Sequence, residues 1–140
     1  MQNKKIMISN KERYKHISEE FMENYRLVLP EHLNHYGYLF GGNLLKWVDE
    51  FAYIAAIDQY PAHRFVTLAL DDVIFKKSIQ QGTILRFNIK RKKLGNTSVQ
   101  YHVMVFSENI ESGDEMPVFT TNVTFVNVDE SGKNKAICRK

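Results

Sequence analysis

The chain has 140 residues, a length that suits one domain with one hydrophobic core. Its 44% hydrophobic and 25% charged content is ordinary for a globular protein and argues against an intrinsically disordered chain. The formal net charge of +3 is mild, and the basic residues are not interleaved with aromatic ones as in nucleic-acid-binding modules, so we expect no nucleic-acid partner.

Targeting and redox signals are also weak. The single cysteine, Cys138, excludes a disulfide framework or a cysteine metal site within the chain. Residues 1–16 contain basic residues but no apolar core of signal-peptide length, and no uncharged run is long enough to cross a membrane. The sequence therefore predicts a cytoplasmic protein without a membrane partner.

The chain begins with a polar segment that we expect to form a loose arm over residues 1–18. Ser9 and Glu12 fit a capping box, and Tyr14 and Ile17 then share a helical face, which predicts a short helix near residues 10–17. Tyr25, Leu27 and Leu29 alternate with Arg26 and Val28 and predict a strand that ends at Pro30.

The longest apolar segment follows a glycine-rich loop over residues 31–42. Apolar residues recur at helical spacing from residue 43, which predicts a helix over residues 43–59 that Pro61 stops. The helix is apolar nearly all round, so we expect most of its sides to be buried. Asp49 interrupts this surface, and a carboxylate there is costly unless it is paired, solvated or functional.

Four long strands are predicted after the helix. Their segments are rich in β-branched and aromatic residues or alternate in polarity, over residues 65–75, 83–93, 97–107 and 118–128. Short turns between them, including the hairpin signal Gly95–Asn96, predict antiparallel neighbours. One apolar helix and one antiparallel sheet indicate an α+β domain in which the sheet curls around the helix, over residues 1–140, with a loosely held polar tail at 130–140.

Several candidate residues have a structural as well as a functional interpretation. Asp49 can be a buried aspartate satisfied by amides, and Glu50 is an adjacent rival that points about 100° away around the helix. Asn34 alone is more often a turn former than a catalytic residue. Basic clusters at residues 90–93 and in the tail usually form a solvated face, and otherwise an anion site. No serine-hydrolase elbow or metal-ligand spacing is present.

Taken together, the motifs resemble those of the hot-dog fold acyl-CoA thioesterases. The likeness is clearest to the acyl-CoA hydrolase subgroup with an N-x-x-G-x-x-F-G-G loop and an aspartate on the central helix. It extends over about residues 24–136. The matching residues are Asn34-x-x-Gly37-x-x-Phe40-Gly41-Gly42, Trp47-Val48-Asp49, Ala52-x-x-Ala55-Ala56, Val66-Thr67 with Asp71 and Phe75, Gly95-x-Thr97-Ser98, and Phe125-Val126-x-Val128-Asp129-x-x-Gly132. The chain departs from the family at two places. The family often has an arginine–proline pair where this chain has Lys77–Ser78, and often has aspartate where this chain has Thr83. Neither departure removes the catalytic pattern.

The resemblance implies hydrolysis of acyl-CoA thioesters beside the start of the helix. The first amides of a helix lack intrahelical acceptors and lie at the positive end of its dipole, so an amide near Gly42 suits a developing oxyanion. Asp49 is the candidate base or nucleophile, and Asn34 would hold the water or the carbonyl. Phe40, Gly41, Thr67, Thr97 and Ser98 are the candidate substrate-binding residues.

The same reasoning predicts a homodimer or a dimer-based oligomer. Asp49 lies about 10 Å along the helix axis from Gly42, which is long for both to act on one carbonyl within a single chain. The family's sites combine residues of two subunits, so the resemblance implies the same here. We expect no cofactor and no metal, because coenzyme A is part of the substrate. The alternatives are a non-catalytic acyl-CoA sensor and a hot-dog dehydratase, although the loop offers no clear catalytic histidine.

Overall fold

A computed structural model of the protein describes residues 21–138, and the helix predicted near residues 10–17 lies outside this range. The described part contains one long helix and one five-stranded sheet. In chain order the elements are β1 (Met22–Leu27), a 3₁₀ helix (Pro30–His32), α1 (Gly41–Gln59), β2 (Phe65–Phe75), β3 (Ile84–Leu94), β4 (Ser98–Glu108) and β5 (Glu115–Asn127). This composition confirms the predicted α+β class.

All neighbouring strands of the sheet are antiparallel, in the order β1-β3-β4-β5-β2. The hairpins β3–β4 and β4–β5 confirm that short turns join neighbours. The extension of this rule to β2 and β3 is wrong, because β2 pairs with β5 and β3 pairs with β1. The connection between β2 and β3 is held instead by the loop before α1, through the hydrogen bond from Leu39 N to Ile79 O of 2.7 Å.

The core lies between α1 and the face of the sheet that the helix covers. Strand β4 shows the alternation clearly, since Val99, Tyr101, Val103 and Val105 are fully buried while the intervening residues are half-buried. α1 contacts β2, β3, β4 and β5, so the sheet covers the helix along its length. The buried helix residues are Leu44, Trp47, Val48, Phe51, Ala52, Ala55 and Ala56.

The helix begins two residues earlier than predicted, at Gly41. Phe40 has an extended backbone and caps the helix, and its carbonyl accepts hydrogen bonds from the amides of Asn43 (3.0 Å) and Leu44 (3.3 Å). One side of the helix is not covered by its own sheet, because Tyr53 and Ile54 remain 42% and 43% exposed. The expectation that most sides of the helix are buried is therefore met only in part within a single chain.

Strand β1 ends at Leu27 rather than at Pro30 as predicted. Its pairing with residues 84–89 of β3 sets these bounds, and the chain then turns into the 3₁₀ helix. The apolar residues Tyr25 and Leu27 face away from the helix and are 57% and 50% exposed. Arg26 faces the helix instead, with its guanidinium 4.9 Å from the Trp47 ring centroid, where a cation–π contact is favourable.

The tail predicted to be loosely held is in fact attached to the sheet. Ile137 is buried at 6% exposure, and its amide donates a hydrogen bond of 2.9 Å to Asn96 O. The side-chain amide of Asn127 donates to the carbonyls of Lys135 (3.1 Å) and Ala136 (3.2 Å). The prediction missed these contacts because one apolar residue in a polar segment gives no periodic signal.

Strand β2 forms one edge of the sheet and carries an exposed apolar surface. Its register with β5 shifts between Thr67 and Ala69 and again between Asp71 and Ile74, and Asp72 has a positive φ of 51° at the second irregularity. Most of its apolar side chains are exposed, namely Val66 at 45%, Leu68 at 65%, Val73 at 39%, Ile74 at 50% and Phe75 at 52%. An unpaired apolar edge of this kind is suited to pairing with another chain.

Candidate functional site

Asp49 lies on the side of α1 that faces strand β2. Its carboxylate accepts a hydrogen bond of 2.7 Å from the hydroxyl of Thr67, which fixes one oxygen, and among residues 21–138 no donor binds the other oxygen. Asp49 is half-buried, so the carboxylate is neither sealed in the core nor free in solvent. The structure thus brings together two residues that are 18 positions apart in the chain, both of them predicted site residues.

The loop before the helix is held to the start of α1 by two hydrogen bonds to one carbonyl. His32 O accepts from the Phe40 amide (2.9 Å) and from the Asn43 side-chain amide (3.0 Å). Asn43, which the sequence did not single out, therefore fixes the loop on the helix. The His32 ring also packs edge-on against Trp47 at 4.8 Å between centroids.

Asn34 lies within this loop and shapes it. Its side-chain oxygen accepts hydrogen bonds from the amides of Tyr36 (2.9 Å) and Tyr38 (3.2 Å), as in an Asx turn. Gly37 follows with a φ of +85°, a conformation that favours glycine. Asn34 therefore has the turn-forming role. Its catalytic role stays a prediction. The side-chain nitrogen of Asn34 would serve that role, because it donates to no acceptor among residues 21–138.

Gly41 and Gly42 are the first two residues of the helix, and neither has a positive φ. Within the described part of the chain, no acceptor takes their backbone N–H groups, as is usual for the first turn of a helix. A Cβ atom added at Gly42 would lie 2.6 Å from the Phe40 ring, whereas one at Gly41 would lie 3.4 Å from the Phe75 ring. Gly42 therefore leaves room for the exposed Phe40 ring beside these two donors.

The predicted site residues do not all meet within one chain. Helix α1 runs antiparallel to β2, so Gly41 lies beside the Phe75 ring at one end and Asp49 accepts a hydrogen bond from Thr67 farther along. Ser98 pairs with Val126 at the far end of the sheet, beyond Thr67. Thr97 and Ser98 thus lie toward the end of the helix, and Phe40 and Asn34 lie at its start.

A cleft of about 1060 Å³ opens at the end of α1, near Thr97 and Ser98. It is lined by residues that follow the helix, by the end of β3 and by the C-terminal segment. Arg91 crosses its wall and donates a hydrogen bond of 2.5 Å to the Tyr60 hydroxyl. The charged lining residues are Arg64, Arg91, Asp129, Glu130 and Lys135.

The two carboxylates of the cleft do not cancel its positive charge. Asp129 is occupied by its own turn, since it accepts hydrogen bonds from the Ser131 hydroxyl (2.7 Å) and from the amides of Ser131 (2.8 Å) and Lys133 (3.0 Å). These bonds, the Ser131 hydroxyl first and the Lys133 amide next, lower the pKa of the Asp129 carboxyl. With three cationic side chains against two carboxylates, the cleft can accept an anionic group.

Two classes of site receive no support from the described residues. Within residues 21–138, no three histidine, cysteine, aspartate or glutamate side chains are close enough together to hold a metal ion. The same part of the chain contains no helix with the length and apolar character needed to span a membrane.

Comparison with known proteins identifies the family. Residues 36–113 match the family model of the thioesterase superfamily. The protein VdlD of Helicobacter pylori is 36% identical over 107 residues, which are 76% of this chain and 60% of that protein. The chain spans 18% to 61% of the length of the first curated relatives that it matches, several of which are named acyl-CoA thioesterases or thioester hydrolases.

Solved structures agree with this match. An acyl-CoA hydrolase from Staphylococcus aureus, solved with butyryl coenzyme A and coenzyme A, superposes with a TM-score of 0.79 at 30% identity, over 86% of this chain and 73% of that one. A hexameric hot-dog fold thioesterase of Campylobacter jejuni superposes with a TM-score of 0.74 at 31% identity, over 82% and 88%. The chain belongs to the thioesterase superfamily and has its hot-dog fold.

Proposed function

We propose that the protein hydrolyses acyl-CoA thioesters to coenzyme A and a carboxylic acid, with Asp49 as the base or nucleophile. The observation that carries this proposal is the Asp49 carboxylate, which Thr67 holds where α1 meets the edge strand β2, one helical turn before the exposed Tyr53. A half-buried carboxylate beside an unpaired apolar edge can meet a second chain and a substrate. The family match and the names of the relatives support the same reaction class.

The active unit in this proposal is a homodimer or an oligomer built from such dimers. The exposed edge of β2 would pair with β2 of the partner subunit around a two-fold axis near Asp71. Thr67 of one subunit then lies opposite Phe75 of the partner subunit, and within each chain the Phe75 ring lies beside Gly41. This register brings Asp49 of one subunit next to the helix start of the other, and buries Leu68, Ile74 and Tyr53. Several of the related solved thioesterases are described as hexamers.

The chemistry follows from this juxtaposition. The free amides at Gly41 and Gly42 would bind the thioester oxygen as it gains negative charge, and such donors stabilise the transition state more than the substrate. Asp49 of the other subunit would take a proton from the water that attacks the carbonyl, or would itself attack the carbonyl and form a mixed anhydride that water then hydrolyses. In both cases the C–S bond breaks and coenzyme A leaves as the thiolate, which takes up a proton. Asn34 would hold the water or the carbonyl through its side-chain nitrogen. No cofactor is needed, since coenzyme A belongs to the substrate.

A detail of the S. aureus acyl-CoA hydrolase supports the choice of residues. That enzyme was also solved as alanine variants of one asparagine, one aspartate and one threonine. Its asparagine and aspartate are separated by the same number of residues as Asn34 and Asp49. The pair Asn34 and Asp49, with Thr67 beside it, is therefore our assignment of the catalytic centre.

The coenzyme A nucleotide would lie in the cleft at the end of the helix. From Asp49 to Tyr60 is eleven residues, or about 16 Å along the helix axis, a distance that an extended pantetheine arm can span. Arg64, Arg91 and Lys135 would then face the phosphates. Thr97 and Ser98, at the same end, would bind the nucleotide rather than the thioester. Phe40 would line the entrance for the acyl group.

A thiol-release assay over a series of acyl-CoA chain lengths tests the reaction directly. We expect release of free coenzyme A from at least one chain length, with no added metal or cofactor. Binding of acyl-CoA without thiol release would contradict hydrolysis and indicate the sensor function instead. Hydration of an enoyl-CoA without thiol release would indicate the dehydratase class.

Thr67→Val tests the orienting hydrogen bond on Asp49. Valine keeps the shape of the side chain and removes the hydroxyl, so the carboxylate can rotate away from the productive position. A hydrogen bond to a charged group contributes about 1.5 kcal/mol or more, so we expect a roughly tenfold lower kcat at nearly constant KM. The matched control is Thr124→Val on β5, where the hydroxyl accepts from the side-chain amide of Gln100 and lies away from Asp49. An equal loss in both variants would contradict a specific role for Thr67.

Arg64→Gln tests the placement of the phosphates. The side chain is exposed in the cleft, so its contribution should be electrostatic and screened by salt. We expect a several-fold higher KM at low ionic strength, with kcat unchanged and a smaller salt dependence than in the wild type. Lys77→Gln is the control, because Lys77 contacts Met116 and lies outside the cleft. Identical KM values for wild type and Arg64→Gln at low salt would rule out this placement.

A further inference from the structure

The C-terminal segment over residues 134–138, which we call the strap, forms one wall of the cleft. It is held at three places by different parts of the fold. Lys135 N donates to Asn127 O (2.8 Å), Ile137 N donates to Asn96 O (2.9 Å), and Cys138 N donates to Nε2 of His63 (2.9 Å). The last of these bonds is the only one of the three that depends on a titratable side chain.

The partners of His63 determine its protonation state when the strap is bound. Nε2 accepts the Cys138 N–H, so it carries no proton. Nδ1 lies 2.9 Å from Pro61 O and 3.1 Å from Tyr60 O, and both carbonyls can only accept. Nδ1 therefore carries the proton, and the imidazole is the neutral Nδ1–H tautomer. The ring is fixed in this orientation by stacking on Phe65, with 5.5 Å between centroids and 8° between planes.

We propose that His63 is a positioning residue that fixes the end of the strap, at Cys138, beside the cleft only while its imidazole is neutral. A second proton on Nε2 would place two N–H donors against each other, and the hydrogen bond to Cys138 would be lost. The Nδ1–H bonds to the two carbonyls would remain, so the ring would stay in place while the end of the strap at Cys138 is released. Histidine side chains take up this proton between about pH 8 and pH 5.

The other groups around the cleft do not account for such a switch. The remaining ionisable side chains that line it are Tyr60, Arg64, Arg91, Asp129, Glu130, Lys135 and Cys138. Arginine and lysine side chains generally remain cationic over this range. Asp129 remains ionised, because the bonds from Ser131 and Lys133 lower the pKa of its carboxyl. None of these side chains makes the bond that holds Cys138.

Release of the strap would change the cleft in a defined way. Lys135 and Ala136 line the cleft and are held by Asn127, whose backbone carbonyl accepts from Lys135 N and whose side-chain amide donates to both of their carbonyls. Loss of the bond at Cys138 frees the end of the strap beyond the buried Ile137. If the cleft holds the coenzyme A nucleotide, as proposed above, the affinity for coenzyme A should decrease as the pH is lowered. This consequence rests on the proposed function, whereas the strap itself does not.

The single cysteine of the chain allows a direct test. A nitroxide attached to the exposed Cys138 side chain reports the mobility of the strap by electron paramagnetic resonance, without any ligand. We expect a mainly immobile spectrum near pH 8 and a several-fold smaller immobile fraction near pH 5.5. His63→Ala should be mobile at both values. His63→Gln, which can still accept from Cys138 N–H and takes up no proton, should be immobile at both.

His102→Gln is the control, because His102 binds Asn122 and Thr120 on the opposite face of the sheet and should leave the pH response unchanged. A wild-type spectrum that is equal at both pH values would overturn the proposal. An immobile strap in His63→Ala would also overturn it. If His63→Ala does not fold, a pH response that is retained in His63→Gln would overturn it instead.

Calorimetric titration with coenzyme A then separates the strap from the proposed function. We expect several-fold weaker binding by the wild type near pH 5.5 than near pH 8, and no such difference for His63→Gln. If the nitroxide shows release while both proteins keep the same affinity, the strap is confirmed, and the placement of the nucleotide in this cleft is wrong.

Discussion

Asp49→Asn should reduce kcat by about 10²- to 10⁴-fold, the range that a positioned general base contributes. Asparagine keeps the shape of the side chain, and its oxygen can still accept the hydrogen bond that Thr67 donates to Asp49. The lost feature is the negative charge, which acts in the chemical step. KM for the acyl-CoA should therefore change little, because the interaction is made mainly in the transition state. Steady-state kinetics of thiol release measure both quantities.

Glu50→Gln provides the matched control for this loss. Glu50 is the neighbouring carboxylate on the same helix, but its side chain is 47% exposed and pairs with Arg26 at 3.9 Å rather than facing β2. Exposed ion pairs contribute little, so both stability and kcat should stay close to wild type. Full activity in Asp49→Asn together with a large loss of activity in Glu50→Gln would show that Glu50, and not Asp49, is the base.

Mixing two inactive variants should restore activity, and this is the second large effect that we expect. Asp49→Asn and Asn34→Ala each remove one half of a site that two subunits share. In a mixed dimer, one of the two sites has both residues intact. Random exchange at equal concentrations makes half of the dimers mixed, so about a quarter of wild-type activity should return. The gain over either variant alone should be about 25-fold or more if each variant retains one per cent or less.

The mixing experiment depends on proof of exchange. Mass spectrometry of subunits with different isotope labels shows whether mixed dimers form. A mixture of Asp49→Asn with Thr67→Val is a useful second control. Both residues belong to the same half-site, so neither site of a mixed dimer has both residues intact, and mixing should give no gain over Thr67→Val alone. Confirmed exchange without recovery in the first mixture would show that Asn34 and Asp49 do not act across the subunit boundary.

Local patterns were sufficient for the elements of the fold. The apolar residues from Leu44 to Ala56 predicted α1 to within two residues of its start, because helical periodicity is a property of the segment itself. The alternation along residues 97–107 predicted β4 and its buried face for the same reason. The double glycine and Asp49 indicated where a site would form, and the resemblance to a family supplied the chemistry.

Only the tertiary structure decided which of these elements meet. Strand β2 pairs with β5 rather than with β3, and this pairing carries Thr67 to Asp49. The tail returns to Asn96 and His63, and this return creates the strap. Contacts between distant segments depend on the order of strands and on the burial of single residues such as Ile137. Neither leaves a periodic trace in the sequence, because the period of a segment records which of its faces is buried and not which segment covers that face.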